Sequence, residues 1–404
     1  MRDTVMLPEY SSVLVRFGEI GIKSRQTRKR MVSMLARNIK SALDENRLSY
    51  EEVRREYGRL FVETNDAVGA ARIVSRVFGV VSTSPVVVCQ ASLKNILEAG
   101  VSLARQTFEK NKSFAVRARR VGKHDFSSQD IREQLGEHIL EKLEAYNLDV
   151  DLDTPGQSVS VEVRDNRAYL FDETIGGVGG MPTGTQGKVV CTLSTGLDSP
   201  VAAFKIMKRG CIPVFMHLDN SPYSDDGCVD VAIAQAKTLA AYIHNYEVKM
   251  YVVPHGSDLE EAVDKGPRRM TCIFCKRNML RLAREVAIRE NADAIATGEI
   301  IGEQASQTTA NLKAIDSAIC DPPVLRPCAG DDKTDIQRWA AEIGTYDFSR
   351  EDVTCCTLPP DYPLLKANPE KVEESESDFD FSILKSEIQN AKVLILRKKR
   401  PNKK

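Results

Sequence analysis

An α/β fold class is what this chain predicts: two α+β modules followed by a larger domain built on a doubly wound parallel sheet. Three observations lead there. At 404 residues the chain exceeds the roughly 250–300 at which a single core stops growing, so two or three domains are expected. In its second half, short apolar strands alternate with helical patterns, which is how βα units read. Between the halves lies GGVGGMPTGTQGK (176–188), rich in Gly and poor in apolar residues, which predicts a flexible boundary.

The composition, 42% hydrophobic and 28% charged with one Trp, excludes disorder for most of the chain, as well as collagen-like and disulfide-scaffold classes. No run approaches the roughly 20 apolar residues that span a bilayer. The start, MRDTVMLPEYSSVLVRFGE, carries acids and lacks a continuous apolar core, so it does not read as a signal peptide. The expectation is a cytoplasmic protein with no membrane partner, its ten Cys mostly reduced. A formal net charge of −1 makes no global demand for nucleic acid. Locally, however, Lys23, Arg25, Arg28, Lys29 and Arg30 crowd one segment, and Arg117, Arg119, Arg120 and Lys123 another. Such stripes bind phosphates even on a neutral protein.

In order along the chain, 11–17 (SSVLVRF) reads as a strand and 26–46 as an amphipathic helix with Met31, Met34, Leu35, Ile39 and Leu43 on one face. A strand over 57–63 and a helix through Val68–Phe78 complete the first module. The second comprises a helix over 91–110, a strand over 113–119, a helix over 128–145 and strands over 158–164 and 168–174. Then come the βα units: strand Val189–Leu193, helix Pro200–Arg209, strand Ile212–Leu218, helix Asp230–Ile243, strand Val248–Val253, helix Arg277–Glu290 and strand Ala294–Thr297. Beyond about 366 the acidic KANPEKVEESESDFD predicts disorder; 381–397 has the makings of a short helix and strand.

The sharpest local feature is CTLSTGLDSP (191–200). An apolar strand ends in a turn of small residues that opens into a helix at Asp198. Small residues let the backbone approach an anion, and the helix N-terminus offers free N–H groups and a positive dipole end. Ser194, Thr195 and Ser199 add hydroxyls, and Asp198 suits Mg²⁺ held against a pyrophosphate. A plain βα turn with Ser and Asp caps is the structural alternative. Cys272-Ile-Phe-Cys275 precedes the helix expected at Arg277, and Cys355-Cys356 follows about 80 residues later. A lone CxxC is half a zinc site, a redox pair or a cluster-binding pair. Three thiolates on a cubane cluster would leave one iron open, and an open iron can hold sulfide. Cys89, Cys191, Cys211, Cys228, Cys320 and Cys328 read as small core residues. In SFAVRARRVGK (113–123), Arg117 and Arg119 alternate with Val116 and Ala118, which offers one sheet face to phosphates or simply to solvent.

STGLDSP resembles the S-G-G-x-D-S loop of PP-loop ATP pyrophosphatases, which activate a carbonyl oxygen by adenylation; Thr195 stands where Gly is usual. TGEIIGEQASQTT (297–309), PVLRP (323–327), EIGTYDFS (342–349), FGEIGIKS, FAVRARRVGKHDFSS (114–128) and the glycine-rich segment resemble, in order, blocks of the tRNA 4-thiouridine synthetase family over roughly 11–366. The resemblance implies a ferredoxin-like domain (1–75), a THUMP RNA-binding domain (76–175), a PP-loop catalytic domain (176–366) and a partly disordered tail (367–404). It implies ATP contacts from Thr192, Leu193, Ser194, Thr195, Gly196, Asp198, Ser199, His217, Leu218, Lys276, Gly298 and Gln307, with Mg²⁺. Asp198 and Cys356 would be catalytic. Cys272, Cys275 and Cys356 would hold a 4Fe-4S or 3Fe-4S cluster, with Cys355 as the other candidate for the third ligand.

The further implications concern the reaction and its partners. Many members lack the CxxC and use a C-terminal rhodanese domain; the 38 residues after 366 are too few for one, which also weighs against a thiamine-thiazole role. The implied reaction is 4-thiouridine formation at uridine 8 of tRNA, with uracil O4 adenylated and then replaced by sulfur. A cluster-free persulfide on Cys356, or an RNA-binding protein with an inactive loop, are the alternatives. The implied partners are the tRNA acceptor end, contacted by Lys23, Arg28, Arg117, Arg119, Arg120 and Lys123, then sulfide or a sulfur-donor protein, and a second copy of the chain, since the family commonly forms dimers.

Overall fold

The computed structural model describes residues 9–56, 58–350 and 353–398. The first eight residues of the acid-bearing N-terminus, Tyr57 at the start of an expected strand, and the last six residues of the basic C-terminus lie outside them. Two compact units divide at Gly180/Met181, inside the glycine-rich segment.

The first unit runs β1 (Ser12–Phe17), α1 (Arg25–Glu45), β2 (Glu52–Glu56), β3 (Arg59–Glu63), α2 (Ala67–Ser75), β4 (Val80–Gln90), α3 (Leu93–Thr107), β5 (Ser113–Val121), α4 (Ser128–Lys142), β6 (Asp149–Val150), β7 (Gln157–Arg164), β8 (Arg167–Phe171) and β9 (Ile175–Gly176). Side-chain caps start α2, α3 and α4: Asp66 accepts from the Gly69 N–H, Ser92 from the Asn95 N–H, and Ser127 and Asp130 form a reciprocal capping box. Its nine strands form one sheet, in the order β2-β3-β1-β4-β8-β7-β5-β6 with β9 on β4. The two expected modules thus share a strand: β4 pairs β1 along its first half and β8 along its second. Neither β4 nor β2 was legible as a strand. Pro85 interrupts β4, where it stands opposite Val13 of β1, and β2 is the charged run EVRRE. Ile96, Leu103, Ile131, Leu135 and Ile139 of α3 and α4 pack on Phe114, Val116, Val159 and Val161 of the sheet.

The second unit runs β10 (Lys188–Thr192), α5 (Asp198–Lys208), β11 (Ile212–Asp219), α6 (Cys228–Ala240), β12 (Val248–Pro254), α7 (Gly256–Lys265), α8 (Thr271–Glu290), β13 (Ala294–Ala296), α9 (Thr309–Asp316), β14 (Val324–Leu325), α10 (Lys333–Ile343), α11 (Pro369–Ser375), α12 (Ser382–Gln389) and β15 (Lys392–Arg397). Its sheet order is β14-β13-β10-β11-β12-β15, parallel except for the antiparallel last strand. The expected doubly wound sheet is present, with one edge strand more than expected. Chain order reverses at β10: β11 lies on one side and β13 on the other. That switch point opens a crevice at the carboxyl ends of the strands, where ligands of such sheets bind.

One expectation is corrected. The acidic tail is ordered rather than disordered over its described residues. Val372, Phe379, Leu384 and Ile388 sink into the core that α8 lines. Glu376 forms a two-pronged ion pair with Arg277 (2.8 and 2.9 Å) and a second pair with Arg281, and β15 closes the edge of β12. Sparse apolar residues at the right spacing outweigh the acid content once Glu376 has its two arginine partners. Within the glycine-rich segment, Gly177 and Gly179 donate to Val81 and Val80 of the first unit, and Met181 donates to Lys208 of the second. A Cβ on Gly177 would lie 2.3 Å from the Val80 carbonyl oxygen, so its glycine serves close approach. Among the described residues no helix is long and apolar enough to cross a membrane.

Candidate active site

The turn between β10 and α5 sits at the switch point because β10 ends at Thr192 and the first turn of α5 starts at Asp198. Ser199 holds it from inside: its Oγ accepts from the Ser194 N–H at 2.8 Å and lies 3.0 Å from the Ser194 Oγ. Gln235 of α6 donates to the carbonyls of Thr195 and Gly196. Thr195 is not among the residues with positive φ, so a branched side chain in place of Gly puts no strain on the turn. Its hydroxyl contacts the Cys355 thiol. Gly298, after β13, approaches so closely that a Cβ there would lie 2.7 Å from both the backbone N and Cα of Ser199.

A cavity of about 400 Å³ opens over this turn. Every residue expected at the nucleotide lines it: Thr192 to Gly196, Asp198, Ser199, His217, Leu218, Lys276, Gly298 and Gln307. His217 is buried with Nδ1 2.8 Å from the Leu193 carbonyl, while its Nε2 has no partner. Burial holds its pKa below the usual value, outweighing the Leu193 bond, so at neutral pH the free Nε2 is an acceptor. Lys276 pairs with the buried Glu299 at 3.2 Å, and Arg326 reaches the same carboxylate at 3.4 Å. Burial would raise Glu299, but Lys276 and Arg326, with the Thr297 hydroxyl, hold it below the carboxylate range. Gln307 accepts from the Ile300 N–H at 3.3 Å. Asp198 is paired with Lys333 (2.8 Å), which also reaches Glu303. Burial raises the Asp198 pKa more than Lys333 lowers it.

Lys333, Glu299, Arg326 and Gln235 were missed as site residues. Lys333 opens a helix far from the loop in sequence, and no motif marks it. Glu299 and Arg326 do lie within the blocks TGEII and PVLRP, but only their shared ion pair reveals them.

The CxxC lies within the first turns of α8 rather than before it. Ile273 and Phe274 are buried, and that burial draws a poor helix-forming sequence into the helix. Cys272 and Cys275 are therefore three residues apart on one helical face. Burial, then the Cys275 and Cys356 thiols, push Cys272 up to about 11. Cys356 is raised chiefly by burial and also by Cys275, against the Leu358 N–H and His255. The three thiols are thus mutual neighbours, with Cys275 on the cavity wall. Cys355 points elsewhere, to Thr195 and Cys228, and both Cys355 and Cys228 line the cavity. Of the cysteines taken for core residues, Cys191, Cys228 and Cys328 are buried, Cys228 also lining the cavity, Cys89 and Cys211 are half-buried, and Cys320 departs from that reading, being exposed.

The chemistry of three neighbouring thiols fits a cluster better than a single ion. Around one tetrahedral Zn²⁺ the sulfurs would stand about 3.8 Å apart, given Zn–S of about 2.3 Å. Among the described residues the one triad of ligating groups within 4.8 Å of each other is His255, Asp258 and Glu387.

In the first unit, Arg117 and Arg119 of β5 are exposed while Phe114, Ala115 and Val116 are buried. Arg120 is half-buried and donates to the Gly122 carbonyl at 3.0 Å. Lys123 and Lys23 are exposed, and exposed Arg28 donates to the Gly21 carbonyl at 3.2 Å.

The fold and cavity define a PP-loop α/β protein carrying an N-terminal module of ferredoxin-like and THUMP type. Residues 12–84 match the ThiI ferredoxin-like domain, 90–173 the THUMP domain and 184–381 the thiamine biosynthesis protein (ThiI) family. A probable tRNA sulfurtransferase of Methanosarcina mazei is 39% identical over 96% of both chains, and one of Bacillus licheniformis is 34% identical over 97% of both. A crystal structure of a 4-thiouridine synthetase–RNA complex with bound ATP superposes with a TM-score of 0.85 at 28% identity, over 96% of this chain and all of that one. The chain belongs to the tRNA sulfurtransferase family.

Proposed function

We propose that this protein is an ATP-dependent tRNA sulfurtransferase that forms 4-thiouridine at uridine 8, with a first domain over 1–75, an RNA-binding domain over 76–175, a catalytic domain over 176–366 and a C-terminal segment over 367–404. One observation carries the reading: the cavity over the 192–199 turn has Cys275 in its wall, so a nucleotide site and a sulfur site face one reacting base.

The turn's N–H groups and the α5 N-terminus receive the phosphates. The free Nε2 of His217 suits a donor such as an adenine amino group, beside Leu218. Asp198, with one oxygen bonded to Lys333, would hold Mg²⁺ brought in with ATP; the ion would offset phosphate charge. Uracil O4 attacks the α-phosphate and pyrophosphate leaves, while Lys333 and the helix end stabilise the charge that builds. Sulfur then bonds to C4 and AMP departs, taking the O4 oxygen with it. For the enzyme to reach C4 the base leaves its stack.

Cys272, Cys275 and Cys356 would hold an iron–sulfur cluster, whose open iron supplies a site for sulfide. Burial raises the Cys356 thiol above its ordinary pKa, and a thiol that ionises less readily is a poorer nucleophile without a metal, which weighs against the persulfide route through Cys356. Thr195 gives no support to an inactive loop, since its backbone is unstrained. Arg117, Arg119, Arg120, Lys123, Lys23 and Arg28 would contact tRNA phosphates. The sulfide or donor protein and the homodimer belong to the same reading through family resemblance, and the cytoplasmic location is proposed with them.

The test is anaerobic purification with iron analysis and a tRNA thiolation assay. About three to four irons per chain are expected, lost in Cys272→Ala. Asp198→Ala should abolish thiolation while tRNA binding stays within about 10-fold. An active, iron-free protein would overturn the cluster, and loss of tRNA binding in Asp198→Ala would make the loop structural.

A further inference from the structure

Next to the three thiols lies a second cluster that the sulfur-transfer reading does not use. His255 immediately precedes α7, Asp258 lies in its first turn, and Glu387 comes from α12 of the tail. All three are at most 4% exposed. Each has one polar atom already engaged. Asp258 Oδ2 accepts from the Asn278 amide at 2.8 Å, Glu387 Oε1 accepts from the Asp258 backbone N–H at 3.2 Å, and His255 Nε2 lies 3.4 Å from the Cys275 Sγ.

The remaining atom of each, His255 Nδ1, Asp258 Oδ1 and Glu387 Oε2, is buried without a hydrogen bond. His255 Nδ1 does stand 2.6 Å from Asp258 Oδ1, yet without the alignment that a hydrogen bond requires. Ligand atoms of the three side chains lie within 4.8 Å of one another. Among the described residues no Lys or Arg hydrogen-bonds to either carboxylate.

Two carboxylates buried in contact repel unless a proton or a cation stands between them, and the basic group set against them is His255, which is charged only when protonated. We propose that His255, Asp258 and Glu387 bind one divalent first-row metal ion, at a site distinct from the three thiols, which fastens the tail helix α12 to the wall that carries Cys275. An imidazole with two carboxylates suits borderline to hard ions such as Mn²⁺, Fe²⁺ or Zn²⁺, not the soft ions that select thiolates. The engaged atoms act as the outer supports that orient metal ligands: Asn278 fixes Asp258, and the Asp258 N–H fixes Glu387. Without the ion, burial and then Asp258 push the Glu387 carboxyl up to about 8; the proton it then holds is what the ion would displace. With the ion on Nδ1, the ring proton of His255 resides on Nε2 and points at the Cys275 sulfur, so the site also orients that thiol. None of this depends on what Cys275 carries, nor on ATP.

The test uses the full-length chain, freed of divalent ions with a chelator and of nucleotide, titrated with Mn²⁺. The hard ion leaves thiols alone, and loss of the free-ion EPR signal reports binding. One Mn²⁺ per chain is expected, together with a Mn²⁺-dependent rise in Tm. Glu387→Gln and Asp258→Asn should each weaken binding about 10-fold or more and abolish the Tm rise. Metal-free Glu387→Gln should melt no lower than the parent, because the amide stands in for the protonated carboxyl that the metal-free protein holds there. Absence of stoichiometric binding or of a Tm rise in the parent would overturn the proposal. So would binding that survives Glu387→Gln but vanishes in Asp198→Asn, which would place the ion at the nucleotide turn. If both variants fail to fold, the stoichiometry and thermal shift of the parent still decide.

Discussion

Gly298→Ala probes the closest backbone contact in the site. The added Cβ would lie 2.7 Å from the N and Cα of Ser199 and 3.0 Å from the carbonyl carbon of Asp198. Comfortable carbon contacts begin at about 3.5 Å, so the overlap is nearly 1 Å. All three opposing atoms are backbone at the head of α5, and no side-chain rotation relieves the clash. Either the segment after β13 or the nucleotide turn must retreat. Overpacking of this kind costs about 1–3 kcal/mol. At about 2–4 °C per kcal/mol for a domain of this size, the second unit should melt about 2–12 °C lower. A displacement of about 1 Å at the turn should also lower turnover about 10²-fold.

Thermal melts with and without ATP, alongside tRNA thiolation rates, read both effects. Gly196→Ala is the control. Its Cβ would meet nothing closer than the Ser194 Oγ at 3.6 Å, and its φ is not positive, so the fold should tolerate it. A Gly298→Ala protein with parental Tm and parental ATP affinity would refute the argument that this glycine brings the two backbones together.

Glu376→Gln should destabilise the second unit by about 3–5 kcal/mol in urea unfolding, because it leaves Arg277, buried to 2% of its side chain, without its counter-charge. Burial would raise Glu376, but Arg281 and Arg277 hold its folded pKa below the usual value. Its contribution is therefore full above the unfolded carboxylate pKa and is lost as pH falls through the lower folded value. Unfolding midpoints measured down this acid range should converge for parent and variant. Arg117→Glu, at an exposed position of β5, should weaken tRNA binding and lower the salt slope by about one, with ATP affinity unchanged; an unchanged slope would remove Arg117 from the RNA contacts.

Local pattern determined the elements whose neighbours do not matter to their legibility. The apolar strands that became β10, β11 and β12, the amphipathic α1, and the small-residue turn before Asp198 are all readable because strand alternation, helical period and turn chemistry act over a few residues. Cys272 and Cys275 were legible as a pair for the same reason. The chemistry they imply came from family blocks spread over the chain, which record contacts that local pattern does not.

Tertiary structure decided what depends on partners distant in sequence. Pro85 and the charged β2 have no strand signature of their own; pairing with β1 and β3 makes them strands. The acid-rich tail looks unfoldable until Arg277 and Arg281 supply its counter-charges and α8 its apolar wall. Lys333 becomes a site residue only because α10 brings it to Asp198. His255, Asp258 and Glu387 are unremarkable letters in three places until folding buries their free ends together. Sequence by itself determines conformations whose energy is local; long-range charge pairing and burial are set by which surfaces the fold brings into contact.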